Sequence, residues 1–309
     1  MTEHLAPEIW HQIFLEACVD CGRTACALSE VSRYFRADVL PIQLDNVALD
    51  GSKSMHCFAA LLQHRKEEQR HDLCRVHHLF LSDFEYQPET SLVATVAEIL
   101  STTAPDLITL TIAVPQNMWG SGVCLFDFPN LQELTIRCPD ICIRPEPQPG
   151  QGEQTFPSLH YLHVLSDTVT AYNYTQYAPN LTHLRLSSLR TVTPQVYDAV
   201  RFAVQPDDEG ENPADHACTS LFSPPPFKLP RNIQKIFIQM DPWFFFLMGR
   251  SAQPPFGALL PLDKEKKIVM VDSVPAVIRA AGAGPPKMDE RKHWEERIVG
   301  GPGCWAEPS

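Results

Sequence analysis

Apolar positions in the opening of the chain follow helical spacing. Ile9, Ile13, Phe14 and Ala17 recur at i, i+4, i+5 and i+8, the pattern of one helix face. Pro7 suits the first turn, where its missing N–H has no intrahelical partner, and Glu8 complements the helix dipole. Asp20-Cys21-Gly22 is turn chemistry and ends this helix near Cys18. A second helical stretch starts at Thr24 with Ala27, Leu28 and Val31 on one face. Ser32 caps a third, which carries Tyr34, Phe35 and Val39 and stops at Pro41. Three short helices cannot bury all these side chains among themselves, so the rest of the chain or a partner must cover some of them.

From Ser52 onward the pattern alternates. Met55, Phe58, Ala59 and Leu62 trace one helix face; Leu92, Val93, Val96, Ile99 and Leu100 trace another. Val196, Tyr197, Val200, Ala203 and Val204 trace a third, which opens at Pro194. Between them runs a repeated strand signature. Pro105-Asp106-Leu107-x-x-Leu110-x-Ile112 returns at Pro129–Ile136, Pro157–Val164 and Pro179–Leu186, with weaker copies at Val76–Leu81 and Ile233–Ile238. First positions (76, 107, 131, 159, 181, 233) advance by 31, 24, 28, 22 and 52 residues. The middle steps match the ~20–29 residues of leucine-rich repeats, and the last is one repeat plus an insertion. Helices alternating with short strands imply parallel α/β units. The Asn or Cys that usually follows the last apolar residue is absent: Pro115, Pro139, Asp167 and Leu189 stand there. The fold expected is α/β, an irregular leucine-rich-repeat-like solenoid.

The opening helices carry a second resemblance. Leu5-x-Pro7-Glu8-Ile9-x-x-x-Ile13-Phe14, followed by Ala27-Leu28-Ser29-x-Val31-Ser32-Arg33-x-Phe35-Arg36, resembles an F-box over about residues 4–48. The Arg23-Thr24-x-Cys26-Ala27-Leu28 link is similar to the form common in fungal F-box proteins. Two departures are Ala6, where a first proline is usual, and Gly22–Ala25, which replaces an acidic-Leu-Leu start of the second helix. The resemblance implies that a three-helix module, residues 1–50, docks on a Skp-type adaptor, and through it on a cullin. Leu5, Pro7, Ile9, Ile13, Phe14, Leu28, Val31 and Phe35 would form the docking face. It further implies a substrate-receptor subunit of an SCF-type E3 ubiquitin ligase. The alternative is a leucine-rich protein-binding scaffold with no ligase role, its N-terminal helices serving as a cap.

Composition narrows the partners. The net charge of −12 disfavours nucleic acid and anionic membrane, since the average field repels polyanions. The chain opens without a secretory signal, and its ten cysteines are spread thinly, so reduced thiols and a cytoplasmic or nuclear setting are expected. The solenoid is assigned to residues 51–280, with insertions at about 144–156 and 206–228 that are rich in Pro, Gly, Asp and Glu. Asp207-Asp208-Glu209 reads there as a solvated stretch. Trp243–Met248 reads as a buried helix near the end of the array. Residues 281–309 read as an exposed helix around Trp294 and a frayed tail.

Enzymatic chemistry is not expected. Cys18, Cys21 and Cys26 lack a second close pair at zinc-finger spacing, and no phosphate loop, serine elbow or His-Glu-x-x-His is present. No cofactor or metal is anticipated. Target binding is expected on the concave strand face, because residues between the inward leucines point to the opposite side. The middle row runs Phe80, Thr111, Thr135, His163, Arg185 and Phe237, with Glu133, Tyr161, His183 and Lys235 beside it. Phe80, Thr135, Tyr161, His163, His183, Arg185 and Phe237 are the candidate target-binding residues. The competing expectation is that helices or long loops cover this row and make Phe80 and Phe237 core.

Overall fold

The computed structural model describes residues 6–83, 90–114, 126–137, 156–166, 178–189, 192, 194–204, 229–241, 255–271 and 290–307. Leu5, residues 144–155 and 206–228, and Trp243–Met248 lie outside these residues.

Helices α1 (Pro7–Ala17), α2 (Arg23–Val31) and α3 (Arg33–Val39) begin where the local chemistry directs. Pro7 occupies the first turn after an extended Ala6. The Asp20 carboxylate accepts from the Thr24 backbone N–H at 3.0 Å and from the Thr24 hydroxyl at 2.8 Å, which fixes the start of α2. Between them Gly22 has φ +80°, and a Cβ there would meet the Gln43 carbonyl at 2.9 Å, so the turn requires glycine. Ser32 Oγ accepts from the Phe35 N–H at 3.0 Å and caps α3. Phe14, Cys18, Ala25, Val39 and Ile42 form the core of this unit, with Trp10, Leu28 and Phe35 against it.

An eight-stranded, all-parallel sheet follows, its strands lying side by side in chain order. They are β1 (Asn46–Asp50), β2 (His78–Ser82), β3 (Thr109–Ala113), β4 (Glu133–Arg137), β5 (Tyr161–Leu165), β6 (His183–Leu189), β7 (Lys235–Met240) and β8 (Ile268–Met270). The architecture is therefore α/β. β2–β7 fall on the repeated signature. β1 and β8 lie outside the repeated signature: both lack the Pro-x-Leu opening and β8 has only three residues, and they form by pairing with β2 and β7. β1 also lies within residues 1–50, so the sheet begins before the expected boundary of the helical module.

The signature has a geometric reason. Its first apolar residue sits in the turn before each strand and is buried, as Leu107, Leu131, Leu159, Leu181 and Ile233 are. The next two point into one continuous core with Met55, Phe58 and Leu62 of α4 (Ser52–Glu67). Leu92, Val96 and Ile99 of α5 (Thr90–Thr103) and Val196 and Val200 of α6 (Pro194–Val204) complete that layer. The polar residues after Pro129, Pro157 and Pro179 tie their turns to the turn before. Asn130 donates to the Pro105 carbonyl at 2.8 Å, Ser158 to Pro129 at 2.6 Å, and Asn180 to Pro157 at 2.7 Å. A ladder thus exists at the start of the strands rather than after them.

The other sheet face is not open. Helix α7 (Glu290–Ile298) and the short turn Gly303–Trp305 lie on it, with Trp294 and Trp305 buried. This corrects the expectation of an exposed helix and a frayed tail: two large indoles gain more by burial on a half-apolar face than in water. Among the described residues no helix is long and apolar enough to cross a membrane.

Candidate functional site

Two surfaces collect the residues singled out in the sequence. The first is the helical unit. Ile9 is 49% exposed, Ile13 42% and Val31 66%, and Leu15 and Tyr34 are exposed beside them in the chain. Pro7 is exposed as well. Phe14 departs from the expected docking set: it is 2% exposed, with its ring edge-on to Phe35 at 5.1 Å. Leu28 and Phe35 are half-buried against it. A three-helix unit needs some of its own apolar groups inside, so Phe14 goes wholly to the core while Leu28 and Phe35 divide their surface between core and solvent. Leu5 lies outside the described residues.

The second surface is the sheet face opposite the main core. Its register brings the anticipated row together: Phe80 pairs with Thr111, Thr111 with Thr135, Thr135 with His163, His163 with Arg185, and Arg185 with Phe237. Glu133, Tyr161, His183 and Lys235 form the adjacent row. Phe80, Thr135, His163, Arg185 and Phe237 are buried, and Tyr161 and His183 half-buried, because the C-terminal segment covers them.

The contacts of that segment are specific. Trp305 sits 5.2 Å from the Tyr161 ring, 5.8 Å from Phe237 and 6.2 Å from His183. Its indole N–H donates to Glu133 Oε1 at 2.9 Å, and Arg297 Nε donates to Glu133 Oε2 at 2.6 Å. The Arg185 guanidinium donates to the Cys304 carbonyl and, at 3.2 Å, to Gln239 Oε1. Arg137 pairs with Glu290, Arg291 with Asp50, and Lys235 with Glu307 at 2.7 Å. Trp294 stacks obliquely on Phe80 at 5.7 Å.

One pair in this seam has the elements of a nucleophile and base. Cys304 Sγ lies 3.6 Å from His163 Nδ1, and His163 Nε2 lies 3.0 Å from Ser187 Oγ. Its electrostatics run the opposite way. Burial pushes the Cys304 thiol up to about 12 and holds the His163 imidazole well below its ordinary 6.5, with Arg185 adding to the second effect. A thiolate–imidazolium pair needs both shifts reversed. The neutral pair is a buried polar contact that joins tail to sheet.

Among the described residues no group of three or more His, Cys, Asp or Glu stands in a metal-binding arrangement. Cys18 is buried in the helical core, with its thiol raised to about 11 by burial and then by Asp20 and Asp45, whereas Cys26 is exposed. Sequence reasoning missed Cys304 and Trp305. The available signal was two tryptophans in an otherwise polar end, since Trp is seldom left wholly in water. Comparison with protein-family models, with curated proteins and with solved structures gives no match to this chain.

Proposed function

We propose that the chain is a substrate-receptor subunit of an SCF-type ubiquitin ligase, in which α1–α3 dock on a Skp-type adaptor and the sheet body recruits a protein target. The observation that carries this reading is the exposure of Ile9, Ile13 and Val31 on a unit whose own core is already filled by Phe14, Cys18, Ala25, Val39 and Ile42. Large aliphatic groups left on a small helical unit, at positions that resemble those of an F-box, suit a partner better than solvent. The body supports a leucine-rich reading: parallel strands lie side by side in chain order, and each leucine signature supplies one strand. Ligase chemistry would belong to the other subunits, so no residue here need be catalytic.

The test is Ile13→Asp together with Val31→Asp in the full chain. Both positions are exposed, so folding is retained, but a carboxylate cannot be desolvated in an apolar interface. Co-precipitation of a Skp-type adaptor and cullin should be abolished while the melting temperature stays within a few degrees of wild type. Undiminished capture would sink the F-box reading. Failure of the wild-type chain to capture any adaptor would leave a leucine-rich scaffold as the better account.

A further inference from the structure

The seam between the C-terminal segment and the sheet is built unlike the main core. The core is apolar and continuous across the sheet and its helices. In the seam Trp305 sits among Tyr161, His183 and Phe237, Trp294 lies against Phe80, and charged groups surround the Trp305 side. Glu133 meets both the Trp305 indole and Arg297, Arg185 meets the Cys304 carbonyl, and Arg137, Lys235 and Asp50 pair with the segment at its margins. An aromatic anchor within a charged and polar rim is the anatomy of a protein–protein interface.

The fit is also incomplete. A cavity of about 10 Å³, room for the centre of one water molecule, remains between sheet and segment. Thr111, Thr135 and His163 line it from the sheet, and Glu290, His293 and Arg297 from the segment. The Trp294 indole N–H is buried with no hydrogen-bond partner among the described residues. Domain cores are close-packed and leave few such donors unmatched. Helix α7 has nine residues, too short to persist without the surface it lies on.

We propose that residues 290–307 are an intramolecular ligand of this sheet face, and that in their absence the face takes a segment of a target protein with the same chemistry. Such a segment presents a tryptophan with its N–H towards Glu133, an adjacent backbone carbonyl for Arg185, and an arginine beside Glu133. This rests on the reading of the chain as a target receptor. Covalent attachment gives the resident segment an effective concentration of roughly millimolar, so it holds the face when no target is present and excludes weak ligands.

The experiment uses the full-length chain and a fluorescent peptide with the sequence of residues 290–307. In hydrogen exchange at low denaturant, amides of α7 and Gly303–Trp305 should open while β4–β6 stay protected. The peptide should bind the Trp305→Ala chain about tenfold more tightly than wild type, because the resident segment has lost its anchor. Trp305→Phe, which keeps the ring and loses the N–H to Glu133, should fall between them. A peptide carrying Trp305→Ala should bind none of the three. The proposal is overturned if the segment loses protection only together with β4–β6, if the native peptide binds neither variant, or if both variants unfold, since each makes the segment part of the core. Adaptor capture scored in the same samples separates the two readings: its loss with segment exchange intact counts against the ligase role alone.

Discussion

The helical unit of residues 7–42 closes on five buried side chains and leaves Ile9, Ile13 and Val31 in solvent. The sheet buries its leucines completely, strand after strand, with α4, α5 and α6 laid over them. The two regions meet through polar contacts: Asn46 donates to the Cys18 carbonyl at 3.4 Å, and Arg65 to Gln43 Oε1 at 2.9 Å. Arg65 also reaches the Leu73 carbonyl, so one buried guanidinium ties the end of α4 to both sides of the junction. A region whose leucines are consumed internally is stable and can bind a partner only through its other, polar-lined face; one with a small core keeps apolar binding surface at the expense of stability.

Core truncations give the largest test of this contrast. Leu110→Ala, at a fully buried strand position, should cost ~2–5 kcal/mol in urea unfolding and shift the main transition. Phe14→Ala should cost ~3–5 kcal/mol, which exceeds what five side chains of core can spare. The expected result is loss of exchange protection in α1–α3 with β2–β7 still protected. A single shared transition for both variants would break the comparison and make the chain one cooperative unit.

Acidification gives a smaller effect, confined to the sheet. Burial lowers the imidazole of His163 well below 6.5 and that of His78 to about 4. Both are neutral when folded and take up protons when unfolded, so their contribution is complete above pH 6.5 and is lost as pH falls towards 4. His77 has the opposite sign, since its hydrogen bond to Asp45 raises it and stabilises the fold below 6.5. Comparing wild type with His163→Gln between pH 7 and 4.5 cancels the other groups. The wild-type stability should fall more steeply, by up to about 1.4 kcal/mol per pH unit for one proton. Parallel pH curves would mean that His163 is not buried as a neutral base.

The smallest change concerns the ladder at the strand starts. Asn130→Ala and Asn180→Ala each remove one exposed hydrogen bond and should cost ~0.5–1.5 kcal/mol, near the lower end. Their double variant should be additive within ~0.5 kcal/mol if each acts on its own turn. A chemical-denaturation series measures this directly. A loss of several kcal/mol would show that the ladder sets strand register rather than trimming the turns.

Much of this was legible in the chain. Pro7, Asp20-Cys21-Gly22 and Ser32 mark helix ends by local chemistry, which needs no distant partner. Leu110 and Ile112, and their counterparts on β4–β7, declare a strand with one buried face, and a period of two leaves only one choice of register row. Hence the sequence pattern alone places Phe80, Thr111, Thr135, His163, Arg185 and Phe237 in one row, and the strand register pairs them so. Tertiary structure alone decided what covers that row. Trp294 and Trp305 sit in a polar stretch with no helical stripe, and their burial depends on Phe80, Glu133 and Arg185, which are hundreds of ångströms of extended chain away in sequence and adjacent only after folding. The same holds for β1, which is a strand because β2 pairs with it, and for Phe14, whose side of α1 is chosen by Phe35. Periodicity reports which residues share a face; only packing decides what that face meets.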